Sequence, residues 1–162
     1  MEVITKSGIR ELVEAGDEQA LLARFDEDPS RVRRFLTRLA IARDDACRAS
    51  TIDCFNLLSR QRSARMPEFF LEVIRRSLWE MNEEGGNVAW SAPEIIGAVI
   101  AGAPERFGAY FSYMFYAACD EPTFQPSLLA ACERVGAAEP ALVQGFEDQV
   151  QTLRDALGAR TV

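Results

Sequence analysis

The chain has no histidine among its 162 residues. That removes the commonest general base, the usual metal ligand and every Ser-His or Cys-His nucleophile arrangement. No apolar run approaches the roughly 18 residues that a membrane span needs, so no membrane segment is expected. Met1 to Ser7 carry an acidic residue early and run straight into a helical pattern, so no secretory signal is expected either. Cysteine is sparse: Cys47, Cys54, Cys119 and Cys132 are dispersed, without a CxxC pair. On a helix Cys47 and Cys54 would stand about 10 Å apart along the axis, beyond disulfide reach. Free thiols in a reducing cytoplasm are therefore expected.

Charge is unevenly placed. Residues 1–30 hold three basic and eight acidic side chains, and residues 66–162 hold six and fourteen. Between them, residues 31–65 hold nine arginines against three aspartates, within a chain of net charge −7. Acid at both ends argues against general nucleic-acid binding, which depends on neutralising phosphates. The arginine block could still make a local anion site.

What is present is a repeat. Pro29, Pro67, Pro104 and Pro140 follow one another at intervals of 38, 37 and 36 residues. Each opens a stretch with helical apolar spacing, where the fixed φ and missing N–H of proline do least harm. Val32, Phe70, Phe107 and Val143 stand three residues after these prolines, and Phe35, Val73, Tyr110 and Phe146 six after. Ten after stand Leu39, Ser77, Met114 and Val150. These offsets trace one stripe on a 3.6-residue helix. The spacing predicts helices from Pro29, Pro67, Pro104 and Pro140, the last running to about Leu157 with Gly158 as C-cap.

Second helices are predicted after Asp44 or Asp45 to about Arg60, after the capping box Ser91-Ala92-Pro93-Glu94, and after Gln125-Pro126-Ser127. Segments 8–15 and 18–25 would cap the N-terminal end. The expected fold is all-α: a right-handed α-solenoid of stacked antiparallel helical hairpins in one domain. Its units would be 29–66, 67–103, 104–139 and 140–158, with residues 1–28 as cap.

The proline-led first helices, the repeated apolar offsets and the spacing of 36–38 residues resemble the HEAT-like repeat proteins of bacteria. Within that pattern, the stretch from Trp79 to Glu94 is similar to a segment of small HEAT-like proteins of anaerobic bacteria. The similarity implies a shared fold and brings no activity with it.

Three groups of residues invite a functional reading. Trp79 and Trp90, the two tryptophans, flank Gly85-Gly86, with Asn82, Glu83, Glu84 and Asn87 crowded between them. They read either as a recognition loop with aromatic anchors or as a packed, capped turn. The spacing does not match an EF-hand loop, so no metal is expected. Arg31, Arg34 and Arg38 share a helix face and could bind phosphate or an acidic partner helix. Alternatively they form a solvated face neutralised by Asp26, Glu27 and Asp28. Phe107, Tyr110, Phe111, Tyr113, Met114, Phe115 and Tyr116 distribute rings around most of a helix, as a core element does. Exposure of Tyr113 or Tyr116 would instead make a docking site.

The function expected from these features is a non-catalytic, cytoplasmic protein-interaction module that needs no cofactor. The alternative is an enzyme on a HEAT-like frame, for which fold-level resemblance offers alkylpurine DNA glycosylases and bilin lyases.

Overall fold

The computed structural model describes residues 2–42, 46–82 and 89–160, and among these there is no strand. The chain enters through α1 (Lys6–Ala15) and α2 (Glu18–Glu27). There follow α3 (Pro29–Ala40), α4 (Arg48–Arg62), α5 (Pro67–Asn82) and α6 (Ala92–Gly102). The rest is α7 (Pro104–Phe107), α8 (Phe111–Ala118), α9 (Gln125–Ala138) and α10 (Glu147–Arg160). None of the described helices is long and apolar enough to cross a membrane.

Local chemistry sets the early helix starts. Thr5, Asp17 and Asp28 precede α1, α2 and α3, and each side chain accepts a hydrogen bond from a first-turn amide. Pro29 and Pro67 are the first residues of α3 and α5, as the repeat predicts.

The third and fourth prolines behave differently. Pro104 opens only the four-residue α7. The chain then tightens into a 3₁₀ turn, Gly108–Tyr110, before α8 begins. Pro140 opens a 3₁₀ turn, Pro140–Val143, rather than a helix to Leu157. Gln144 is extended and Gly145 has φ +88°, which breaks the helical path before α10. Val143 thus ends that turn while Phe146 stands between it and α10, and both are half-buried rather than core, as is Tyr110. Gly158 lies inside α10 and caps nothing. Of the expected start of α4, Asp44 and Asp45 lie outside the described residues; the helix begins at Arg48 after Cys47.

The centre of the molecule is α6. Beyond Glu94 in its first turn, its sequence, APEIIGAVIAG, is apolar on every side, the mark of an enclosed helix. α4 and α9 flank it, and α5 and α8 also pack on it. α3 rests on α4, α8 on α9, and α5 beside α8. Glycines let the neighbours close in: a β-carbon at Gly97 would lie 2.7 Å from Ala131 Cβ of α9. One at Gly102 would lie 2.7 Å from the Asn56 carbonyl oxygen of α4. Ser59 Oγ donates to the Val99 carbonyl at 2.7 Å, so the buried hydroxyl is satisfied by the backbone of α6.

Phe25, Phe70 and Phe107 form a ladder of rings with centroids 6.0 and 6.4 Å apart, joining α2, α5 and α7. Phe111 and Phe115 extend the apolar core toward α10, each about 5 Å from the Phe146 ring. All four cysteines are free thiols. Burial pushes Cys54 and Cys132 up to about 12, so both stay protonated and unreactive.

Candidate recognition surface

The two tryptophans have opposite fates. Trp79, near the end of α5, is 62% exposed. Trp90 is half-buried: its indole N–H donates to the Ile41 carbonyl at 3.1 Å, and the Arg48 guanidinium stacks 4.2 Å from its ring. Trp90 is therefore structural and Trp79 alone offers a ring to solvent. Asn82 is exposed and its amide donates back to the Leu78 carbonyl. Glu83, Glu84 and Asn87 lie outside the described residues.

The expected capping box at α6 does not form. Ser91 Oγ is buried without a hydrogen-bond partner. The Glu94 amide donates instead to Ser127 Oγ of α9 at 3.0 Å, and the Glu94 carboxylate accepts from Arg48 of α4 at 2.6 Å. Both charged side chains are mostly buried, so each depends on the other. α6 is thus capped across helices, and its first turn is tied to those of α4 and α9.

The arginine block divides in the same way. Arg31 stays near Asp28 at 3.6 Å, while Asp26 holds Arg62 and Arg65 at 2.7 and 2.8 Å. The hydrogen bond from Arg62 keeps the Asp26 carboxyl below the usual range. Asp28 and Asp26 therefore neutralise Arg31, Arg62 and Arg65 of the block, whereas Glu27 pairs with Arg24 outside it. Arg34 lies over the Phe35 ring at 5.3 Å, Arg38 is exposed, and neither has an ion pair among the described residues.

Two arginines that sequence reasoning passed over complete the picture. Arg33 of α3 is half-buried and within electrostatic reach of Arg76, Glu80 and Glu72 of α5. Burial lowers its pKa from the ordinary arginine value, and the charge on Arg76 adds to the effect. Burial likewise raises Glu80 above the usual carboxylate range, against the pull of Arg76 and Arg33. An open cleft of about 300 Å³ lies along α5, lined by Glu72, Arg75, Arg76, Trp79 and Glu80 of that helix. No motif in the sequence joins residues 33 and 76; the packing of the helices does.

On α8 the rings sort by face. Phe111, Met114 and Phe115 are buried, whereas Tyr113 and Tyr116 are 64% and 61% exposed. The helix is therefore core on one side and a tyrosine surface on the other. Trp79, Tyr113 and Tyr116 are the large aromatic side chains most open to solvent among the described residues. They stand on α5 and α8, which pack against each other.

Such a surface can bury apolar groups against rings and pair anions with guanidinium groups. Among the described residues no three Cys, Asp or Glu side chains gather as metal ligands. Comparison of the chain with protein-family models, with curated proteins and with solved structures found no match.

Proposed function

We propose that this chain is a non-catalytic protein-interaction module, a stack of helical hairpins of the HEAT-like kind that binds a partner protein through the α5–α8 surface. The observation that carries the reading is the exposure of Trp79, Tyr113 and Tyr116 on two neighbouring helices. A folded chain has reason to hide such rings, since each offers a large apolar area to water. Tryptophan and tyrosine are also the residue types on which binding energy concentrates at protein interfaces. The pairing of α3 with α4, α5 with α6 and α8 with α9 supports the hairpin architecture.

Site-specific photocrosslinking in the native cell tests the proposal. A photoreactive phenylalanine at position 79 or 113 should give discrete protein adducts, and one at Ala23, exposed on α2, should not. Absence of adducts at both surface positions, or equal adducts at position 23, would refute the proposal.

A further inference from the structure

For its length α10 buries less of itself than any other described helix. Leu153 is the one buried residue of its fourteen, against eight of the eleven in α6. Its apolar stripe is Phe146, just before the helix, then Val150, Leu153 and Leu157, at steps of four, three and four residues. The stripe lies on the seam between α8 and α9. Phe146 sets its ring against Phe111, Phe115 and Tyr116 of α8, and α10 packs along α9. The polar ties are slight. Arg154 stands 3.8 Å from Glu133 of α9, both exposed, and Arg160 donates to the Gln125 side chain.

The seat is also wider than the helix in it. On one flank of the stripe a cleft of about 240 Å³ separates Phe115, Cys119 and Gln125 from Thr152, Leu153 and Ala156. On the other flank a cleft of about 290 Å³ separates Cys132 and Glu133 of α9 from Val150, Gln151 and Arg154. The chain enters α10 through Gln144 and Gly145, both exposed, and a β-carbon at Gly145 would meet nothing within 4 Å. That joint can swing without unpacking anything.

We propose that the α8–α9 seam is a docking groove for an amphipathic helix of the partner, which displaces α10 and presents an aromatic residue followed by apolar ones four, seven and eleven places on. The inference rests on the reading of the chain as an interaction module and names the chemistry of its partner. The occupant is read from what the groove already holds, a helix with that stripe. The groove also runs onto the exposed aromatic surface, since the Tyr116 ring lies 5.9 Å from that of Phe146. A helix with larger side chains beside the stripe would fill both clefts and gain the contacts that α10 leaves unmade. The tether gives α10 a high effective concentration, so only a better-fitting helix replaces it. A second copy would bring the same α10 with the same fit and no tether, and is disfavoured for that reason.

The test uses the full chain and a fluorescein-labelled peptide copying residues 146–160, with a control peptide carrying glutamine at positions 150, 153 and 157. Leu153→Ala in the chain weakens its own α10, so the copied peptide should bind that variant at least about tenfold more tightly than the parent. The control peptide should bind neither. Leu157→Ala, at a half-buried position, serves where Leu153→Ala folds poorly. In the unmodified chain, amide hydrogens of α10 should exchange at least about a hundredfold faster than those of α6. In the native cell, a photoreactive phenylalanine at position 119, in the cleft beside α10, should give the same protein adduct as one at position 113. Equal affinity for parent and variant, α10 amides as slow as those of α6, or a variant that runs as a dimer in size-exclusion chromatography overturns the assignment. Adducts at 79 and 113 with none at 119 also overturn it, and leave the module reading standing. Tighter peptide binding by the variant without adducts at 79 or 113 supports the groove and counts against the α5–α8 surface alone.

Discussion

Gly97→Ala sets two effects of known sign against each other. In an isolated helix the change gains roughly 1 kcal/mol, because glycine is the poorer helix former. In this protein the new β-carbon would lie 2.7 Å from Ala131 Cβ and 3.0 Å from Ala131 Cα. Carbon atoms settle at roughly 3.5–4.0 Å, so α6 and α9 must part by about 1 Å. The α-carbon of Ala131 is backbone, and no rotamer moves it aside. Retreat toward α4 is closed as well, because Gly102 already stands where a β-carbon would meet Asn56 O at 2.7 Å and Ser59 Cβ at 2.8 Å. Overpacking of this kind costs about 1–3 kcal/mol, and backbone in the way on both sides places it at the upper end. The net expectation is a loss of roughly 2 kcal/mol, read as a lower urea midpoint at unchanged slope by far-ultraviolet circular dichroism. Adding Ala131→Gly should recover part of it, since the clash with the β-carbon of residue 131 is removed while the one with its backbone remains. A Gly97→Ala protein more stable than the parent, as propensity alone requires, would refute the close approach of α6 and α9.

Two further outcomes are expected. Phe70, 1% exposed in the ring ladder between Phe25 and Phe107, should cost about 3–5 kcal/mol when replaced by alanine. A melting temperature unchanged by Phe70→Ala would show the ladder to be wrong. Glu80 has a folded pKa raised by burial, so the folded state holds its proton more tightly than the unfolded chain does. Stability should therefore fall as pH rises through the window above its unfolded value. Glu80→Gln should stabilise the protein at neutral pH, and the gain should shrink to nothing near about pH 3, well below the unfolded glutamate value, where the side chain is protonated in either state. A gain that is independent of pH would show that charge burial is not its cause.

Features that depend on neighbours along the chain are legible in the sequence. Proline opens α3 and α5 because its backbone is already set for a first turn, and Asp28 caps α3 by reaching three residues ahead. Helical spacing placed Phe35, Leu39, Phe70, Val73, Phe107 and Met114 in the core, because periodicity in the chain becomes a face on the helix. The same reasoning failed where a distant element offered a better partner. Pro140 carries the local signal that Pro67 carries, yet Gly145 turns the chain there and Phe146 packs on Phe111 and Phe115 instead of continuing a helix. Ser91 and Glu94 spell a capping box, but Ser127 and Arg48, 33 and 46 residues away in the chain, take over the amide and the carboxylate.

Trp79 and Trp90 look equivalent in the sequence, and only the position of Ile41 and Arg48 makes one structural and leaves the other on the surface. The arginines show the limit most plainly. Composition revealed a basic block, but which guanidinium groups are neutralised depends on which acids the fold brings beside them. Arg33 and Arg76 come within reach of each other only because α3 packs on α4, α5 packs on α6, and α4 and α6 pack together. Local spacing sets φ, ψ and the apolar face; electrostatic pairing and exposure are set by contacts between segments far apart in the chain, and those exist only once the helices have packed.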